Sequence, residues 1–386
     1  MKTPILLVAA ALAALALPTP AREAEPRPPV DDPSPAKNKV QIALLLDTSN
    51  SMDGLIDQAR TQLWKVVNTF TEARRDGEAP FVEVALYEYG NNGLSVANNW
   101  IRQVQPMSRD LDTLSRSLFA LKTNGGEEYC GAAIERALSD LTWDQSKDTY
   151  KVIFIAGNEP FTQGPVDARQ ACRNALSKGV VVNTIHCGRR EEGIAGSWHD
   201  GAALGGGRFM VIDQDRAVTA IQAPQDKPIA DLGVELNKTY LGYGRNRAAG
   251  AGNQVQADKD AAANAASGAP TSRAVAKASG NYYNSSWDLV DAWGEKKVDP
   301  AKLETSDLPE AMRGLKPEER AAFIEKAAKE RSGIKDKILA LNREREAYVE
   351  AELKKQATAK GEKTLDEALV EAAREQATAK GYTFQK

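Results

Sequence analysis

Hydrophobic and polar positions alternate in blocks between residues 38 and 223. Four mainly apolar runs predict buried strands, VQIALLLD, FVEVALYEYG, KVIFIAG and VVVNTIHCG, and RFMVI predicts a shorter fifth. The GNNG after the second run predicts a hairpin turn into an edge strand near NNWIRQV. Apolar residues at three- and four-residue spacing predict a helix after the first run and others at about 110–121, 129–142, 166–178, 198–204 and 214–222. This alternation predicts an α/β fold with a doubly wound, mostly parallel central sheet over residues 38–223.

The first 21 residues, MKTPILLVAAALAALALPTPA, have the layout of a secretory signal peptide. One lysine precedes an apolar run from Ile5 to Leu17, and the predicted cleavage follows Ala21, with Ala16 as second choice. About 13 apolar residues are too few to span a bilayer, so we expect export without a transmembrane anchor in the mature chain. The protein is then periplasmic or secreted. Residues 22–37 hold five prolines and predict a disordered leader.

Two further regions follow the sheet domain. Residues 224–281 are rich in alanine and small polar residues, which predicts a helical linker or a weakly packed helical arm. Residues 282–386 are highly charged and predict a mainly α-helical C-terminal region. Where these regions meet lie four aromatic residues: Tyr282, Tyr283, Trp287 and Trp293. We expect them to form a small core that docks the C-terminal region on the sheet domain; a partner-binding patch is the alternative.

Composition excludes several classes of function. With 50 Lys and Arg against 53 Asp and Glu, the chain lacks the basic excess of a nucleic-acid binder. Two histidines and three cysteines exclude a His-rich metal centre and a tandem zinc ribbon. The sequence contains no G-x-S-x-G elbow, Walker loop or H-E-x-x-H motif, so it indicates no enzyme class.

The strongest chemical signal is the D-T-S-N-S motif at residues 47–51, directly after the first apolar run. In open parallel sheets, ligands bind outside the carboxyl ends of the strands. One carboxylate and two hydroxyls in such a loop suit a hard divalent cation such as Mg²⁺, which prefers oxygen ligands. The alternative is that Ser49, Ser51 and Asp53 only cap the following helix.

In this setting D-T-S-N-S-M, the strand K-V-I-F-I-A-G-N-E-P and the alternation of strands and helices resemble the von Willebrand factor type A (VWA) domain over residues 38–223. The resemblance implies a Rossmann-like fold and a metal-ion-dependent adhesion site (MIDAS). There, Mg²⁺ or another divalent cation meets an acidic side chain of a protein partner. The matching ligands are Asp47, Ser49 and Ser51. The longer pattern also resembles a group of exported bacterial VWA proteins without assigned chemistry.

Two positions depart from the family pattern. Counting back from the G-A-A at 131–133 puts Glu128 where the family has a metal-binding threonine. Asn158, or Gly157 in another alignment, stands where the family has a second aspartate. A carboxylate at 128 binds a cation more strongly than a hydroxyl but quenches its attraction for a partner's acid, and Asn158 partly restores that attraction. The resemblance therefore implies a partly degenerate site whose candidate ligands are Asp47, Ser49, Ser51, Glu128 and Asn158.

The three cysteines of an exported protein allow one disulfide and one free thiol. Cys130 opens a predicted helix and Cys187 ends a predicted strand, so both are expected near the carboxyl rim of the sheet, and Cys130–Cys187 is the favoured pair. Cys172 lies within a predicted helix, where a buried structural cysteine is ordinary. A hydrolase that uses a free thiol with His186 or His199 is the enzymatic alternative. Adjacent strand residues point to opposite faces, which separates His186 from Cys187.

Together these features predict an exported, non-enzymatic protein-binding module of the adhesion or scaffold type. A VWA domain carries the metal site, and the helical C-terminal region acts as a second interaction or spacing element. The first alternative is a structural or interaction protein whose metal site is dead and whose helical tail makes the contacts. The second is the thiol-dependent hydrolase.

Overall fold

The central sheet is built from the predicted apolar runs. The structure is a computed structural model that describes residues 38–54, 56, 64, 67–70, 73–212, 220–357 and 365–384. Its strands are β1 (Lys39–Asp47), β2 (Ala73–Arg74), β3 (Phe81–Tyr89), β4 (Ile101–Ser108), β5 (Tyr150–Gly157), β6 (Val180–Cys187), β7 (Gly206–Ile212) and β8 (Thr383–Phe384). Six form one sheet in the order β4-β3-β1-β5-β6-β7, in which β4 runs antiparallel to β3 and the other pairs are parallel. The predicted α/β fold class and the antiparallel edge strand are confirmed.

Helices follow most of these strands. The described helices are α1 (Leu111–Ala120), α2 (Cys130–Asp140), α3 (Ala168–Ser177), α4 (Arg190–Ala195), α5 (Trp198–Leu204), α6 (Asp226–Asn237), α7 (Arg247–Ala263), α8 (Ala269–Ala278), α9 (Leu289–Gly294), α10 (Pro317–Ala357) and α11 (Leu365–Thr378). The described residues between 53 and 69 are also helical, as predicted. Residues 1–37, with the predicted signal peptide and leader, lie outside the described residues. So does most of the helix predicted at 214–222, and residues 220–222 are not helical.

Two hydrophobic cores lie on the two faces of the sheet. Side chains alternate along a strand, so β1 sends Val40 and Ile42 to the first face and Ala43 and Leu45 to the second. The first face is covered by the helical residues after β1, by α1 and by α11. The second face is covered by α2, α3 and α5. Burial on both faces explains why most positions of the parallel strands are apolar.

The last described residues of the chain complete the first face of the sheet. In α11, Gln376 exchanges two hydrogen bonds with Asn183 of β6, at 2.9 and 3.1 Å, and accepts a third from the Tyr150 hydroxyl at 2.8 Å. Asn183 has no exposed surface, so these bonds replace the water that its amide loses on folding. Beyond α11, Tyr382 is buried in the first-face core and β8 pairs with β2. A segment of the predicted C-terminal region is thus part of the core of the sheet domain.

Residues 224–281 contain the helices α6, α7 and α8, which pack against their neighbours, whereas a linker or a weakly packed arm was expected. The core that α6, α8 and α10 share consists of Ile229, Leu236, Ala274, Val275, Ala278 and Ile338. A buried ion-pair cluster joins this segment to α1, since Arg273 contacts Asp112 at 2.5 Å and Asp258 at 2.8 Å. The small residues of this segment therefore belong to a packed helical layer.

The aromatic cluster predicted to dock the C-terminal region does contact the sheet domain. Tyr282 is buried in the first-face core, and its hydroxyl donates a hydrogen bond to Asp112 of α1. Tyr240 lies between Tyr282 and Trp287, with ring centroids 6.2 and 5.7 Å away. Trp293 packs instead in a separate core of the C-terminal region. The docking prediction is confirmed at Tyr282.

The longest helix, α10, holds the C-terminal region together through charge as well as packing. Arg331 contacts Asp288 at 2.6 Å and Asp291 at 2.7 Å, and its guanidinium lies 4.1 Å from the centroid of the Tyr240 ring. Most other charged residues of α10 face solvent. Across the described ranges, no helix is both long enough and apolar enough to cross a membrane.

All three cysteines are buried free thiols, so the predicted Cys130–Cys187 disulfide is wrong. Cys187 shares the first face with Ile185, whereas Cys130 and Cys172 lie in the second-face core. The sheet itself stands between the two predicted partners. Burial raises the pKa of all three thiols, that of Cys172 to about 12, which is the opposite of what a thiol nucleophile requires.

Candidate metal centre

Asp47 ends β1 at the carboxyl edge of the sheet, between β3 and β5. Its side chain is fully buried. Oδ1 accepts a hydrogen bond from the backbone N–H of Ser49 at 2.8 Å, and Oδ2 is buried with no hydrogen-bond partner among the described residues. Burial raises the pKa of Asp47 to about 8; repulsion from Glu128 and Glu159 adds to this, and hydrogen bonds from Ser49 oppose it. A carboxyl group in such a place needs a proton or a cation.

The loop after Asp47 is fixed by its backbone. The Thr48 N–H donates to the last carbonyl of β3, and the Thr48 carbonyl accepts from the Asn124 N–H, both at 2.9 Å. Ser49 is buried and Ser51 is exposed, with their hydroxyl oxygens 3.2 Å apart. Ser49 occupies the N-cap of a short 3₁₀ turn, but its side chain makes no capping hydrogen bond there. Capping is therefore not what the Ser49 hydroxyl does at this turn.

Glu128, in the segment before α2, reaches the same place. Gly90 shows how closely the groups approach, because a Cβ added there would lie 2.7 Å from Asp47 Oδ1 and 2.8 Å from Glu128 Cγ. Gly90 also has a φ of +78°, which glycine adopts without strain. Burial raises the pKa of Glu128 to about 7; Glu159 raises it further and the Ser49 hydroxyl lowers it. Two carboxyl groups thus face one small space.

The residues at the end of β5 form the third part of the candidate site. A Cβ added at Gly157 would lie 3.1 Å from Asp47 Oδ2. Asn158 follows directly, and its Oδ1 is buried without a hydrogen-bond partner in the described part of the chain. The next residue, Glu159, is exposed, yet its charge raises the pKa of both Asp47 and Glu128. Sequence analysis missed Glu159, although its position beside Asn158 was a usable signal.

A second layer of buried polar residues lies behind the loop that follows Asp47. Glu88, which is 2% exposed, pairs with Arg102 at 2.5 Å and accepts a hydrogen bond from the Thr48 hydroxyl at 3.3 Å. Asn91 is also buried, and its side-chain amide donates to the Lys122 carbonyl at 2.9 Å. The motif alone gave no sign of these residues, because they come from β3, from β4 and from the loop between them.

The donor set fits a hard divalent cation. The candidate ligands offer two carboxyl groups, two hydroxyls and one amide oxygen, and Mg²⁺ takes oxygen ligands while keeping several waters. Two of these oxygens, Asp47 Oδ2 and Asn158 Oδ1, are buried and unpaired within the described ranges, as expected of atoms that bind an ion. No group of three or more His, Cys, Asp and Glu side chains that could hold a metal is found among the described residues. The candidate set contains only two side chains of those types.

The pKa shifts predict how stability changes with pH when no cation is present. The pKa values of Asp47 and Glu128 are higher in the folded state than their ordinary values of 3.8 and 4.5, so both carboxyl groups hold their protons more tightly when the protein is folded. Their stabilising contribution is complete below those values and is lost as the pH rises through about 7 and about 8. We expect the free energy of unfolding in EDTA to fall by about 3–4 kcal/mol between pH 6 and pH 8, with the larger share from Asp47.

Urea unfolding at pH 6, 7 and 8 measures this slope. Saturating Mg²⁺ should flatten or reverse it, because the cation keeps both carboxylates ionised. Asp47→Asn removes one of the titrating groups and serves as the control. Equal slopes in the wild type and in Asp47→Asn would contradict the assignment.

Comparison with known proteins identifies the domain. A sequence model of the von Willebrand factor type A domain matches residues 41–195. These residues belong to the VWA family, and the mostly parallel sheet with helices on both faces is its Rossmann-like fold. VWA domains usually mediate protein–protein interactions and commonly bind a divalent metal at the MIDAS. No curated protein sequence matches the chain.

Solved structures of VWA proteins align with slightly less than half of the chain. The conserved hypothetical protein BatB from Bacteroides thetaiotaomicron is 16% identical, with a TM-score of 0.35, over 45% of this chain and 90% of its own. The SpRpn10 VWA domain is 15% identical, with a TM-score of 0.34, over 45% of this chain and 87% of its own. Proximal thread matrix protein 1 from the mussel byssus, solved with a zinc-occupied MIDAS motif, is 13% identical, with a TM-score of 0.35, over 46% of this chain and 43% of its own.

Proposed function

We propose that this protein is an exported, non-enzymatic protein-binding module of the adhesion or scaffold type. Its VWA domain holds Mg²⁺ or another divalent cation at a partly degenerate MIDAS. A protein partner binds at the carboxyl edge of the sheet, with an acidic side chain as the group that meets the cation. The helical region after residue 223 acts as a second interaction or spacing element. The proposed metal ligands are Asp47, Ser49, Ser51, Glu128 and Asn158.

One observation carries the proposal. Asp47 Oδ2 and Asn158 Oδ1 are buried without hydrogen-bond partners in the described ranges, and a second buried carboxyl group, that of Glu128, lies close to Asp47 at Gly90. Unpaired buried oxygens are costly unless an ion or a proton satisfies them. A cation satisfies both oxygens at once and relieves the repulsion between the carboxylates. It would supply positive charge to attract a partner, while the chain's own side chains fix its place.

Unfolding in EDTA and then in Mg²⁺, Ca²⁺ or Mn²⁺ tests the metal site. A cation at 100 times its dissociation constant should raise the free energy of unfolding by about 2.7 kcal/mol. Asp47→Ala should abolish this gain. The matched control is Asp231→Ala, which removes an exposed aspartate on α6 that pairs with Lys227.

A gain of equal size in Asp47→Ala would place the cation elsewhere. No gain with any of the three cations would favour the alternative, a structural or interaction protein that acts through its helical tail. The hydrolase alternative is left without support, because all three thiols are buried and have raised pKa values.

Export is the second part of the proposal, and the N-terminal sequence motivates it. The 13-residue apolar run and the small residues before Arg22 are typical of a cleaved signal peptide. N-terminal sequencing of the protein recovered outside the cytoplasm of a bacterial host should begin at Arg22. Recovery of the intact chain, beginning at Met1, only inside the cytoplasm would refute export.

A further inference from the structure

The loop between β3 and β4 ends in an unusual backbone conformation. Asn99 and Trp100, directly before β4, have φ values of +54° and +51°. Left-handed conformations are disfavoured for residues other than glycine and rare for bulky ones. Hydrogen bonds hold Trp100 on both sides, since its N–H donates to the Ser95 carbonyl and its carbonyl accepts from the Gly90 N–H, both at 3.1 Å. The fold therefore imposes this conformation on Trp100, and such strain concentrates at functional sites.

The Trp100 ring fixes the residue next to Glu128. It meets the Tyr129 ring edge to face, with centroids 5.4 Å apart and planes at 80°. Gly164 also lies close to Tyr129, because a Cβ added there would be 2.5 Å from the ring. The Tyr129 ring therefore has little room to move, and edge-to-face pairs of this kind are favourable in themselves.

The backbone contact and the ring contact of Trp100 are both made with residues that adjoin Glu128. Its carbonyl binds Gly90, which lies against Glu128 Cγ, and its ring binds Tyr129, which follows Glu128 in the chain. Gly90 lies equally close to Asp47 Oδ1, so the backbone contact bears on both carboxyl groups, whereas the ring contact bears on the Glu128 segment alone. Trp100 is thus placed to control where Glu128 sits without touching a cation itself.

We propose that Trp100 is the positioning residue of the candidate metal centre. It holds Glu128 beside Asp47 and so sets the affinity of the site for a divalent cation. The inference rests on the proposed function, because it requires Glu128 to be a ligand. A ligand that is fixed before binding loses less freedom when the cation arrives, which is the physical reason that affinity depends on the ring.

Titration calorimetry of the mature chain with Mg²⁺ alone, and then with Mn²⁺ alone, tests the inference. Trp100→Asn removes the ring but tolerates the left-handed backbone, and it should raise the dissociation constant about tenfold, since about 1.4 kcal/mol corresponds to that factor. Asn99→Gly is the matched control, because it relieves the neighbouring left-handed residue and keeps the ring. It should change the dissociation constant less than about twofold. Trp100→Phe keeps an aromatic edge and should lie between the two.

Far-UV circular dichroism and urea unfolding in EDTA show whether each variant is folded. If Trp100→Asn does not fold, Tyr129→Leu removes the other ring of the pair and should weaken binding to a similar extent. Tight binding by the wild type together with unchanged binding by these ring variants would overturn the inference and leave the proposed function standing. Absence of any cation binding by the wild type would overturn both.

Discussion

Replacing Arg273 with methionine should lower the free energy of unfolding by about 3–5 kcal/mol, because it leaves a buried aspartate without its counter-charge. Arg273 is 3% exposed, and its guanidinium contacts Asp112 at 2.5 Å and Asp258 at 2.8 Å. The same guanidinium lies 4.6 Å from the centroid of the Trp64 ring in the first-face core. Urea unfolding followed by tryptophan fluorescence measures the loss.

Two further variants separate the buried charge from the lost packing. Lys227→Met removes an ion pair with Asp231 on the surface of α6 and should change stability by less than about 0.5 kcal/mol. Adding Asp112→Asn to Arg273→Met should recover at least about 1 kcal/mol, because the unpaired charge is then gone. A loss of less than about 1 kcal/mol for Arg273→Met would mean that this cluster does not join α8 to α1 in solution.

The sheet could be predicted from the sequence because its signals are local. The central parallel strands are buried on both faces, so β1, β5 and β6 are mainly apolar along their length. The pairing of β2 with β8 could not be predicted in the same way. Each of these strands has two residues, too few for any periodicity, and the paired residues Arg74 and Thr383 are 309 positions apart in the chain.

The packing of residues 224–281 was hidden by the small size of their side chains. A run of alanine and glycine is typical of a linker, because its side chains are too small to indicate a hydrophobic core. In α7, however, a Cβ added at Gly250 would lie 2.2 Å from the Trp287 ring. The ring can therefore pack against the helix backbone only because Gly250 has no side chain. Gln254, Ala257 and Ala261 of the same helix are buried. The small residues of α7 allow other elements to pack closely against this helix. The sequence alone does not indicate which elements those are.

The candidate site divides in the same way between local and distant features. The 47–51 motif lies in one loop, so its position at the end of β1 follows from the sequence alone. Glu128 and Asn158 were placed by counting along a family pattern, and their role as ligands stays a prediction. The close approach at Gly90, the charge of Glu159 and the Trp100–Tyr129 contact depend on three loops meeting, which no single segment encodes.

Replacing Tyr382 with alanine should lower the free energy of unfolding by about 3–5 kcal/mol, although this residue lies near the C-terminus. Tyr382 is 1% exposed in the first-face core. Its hydroxyl donates to the Lys39 carbonyl at 3.2 Å, and its ring lies 5.0 Å from the Arg75 guanidinium. Removing the ring leaves a cavity against the first residues of β1, and urea unfolding measures the loss.

Tyr348→Ala is the control, because Tyr348 on α10 is 37% exposed and its removal should change stability by less than about 0.5 kcal/mol. Tyr382→Phe keeps the ring and loses only the hydrogen bond to Lys39, so it should lose about 1 kcal/mol. This order, with alanine far more damaging than phenylalanine, is the signature of a ring packed in the core. Equal, small losses for both substitutions at position 382 would mean that the C-terminal segment leaves the sheet domain in solution and that the first face is closed by something else.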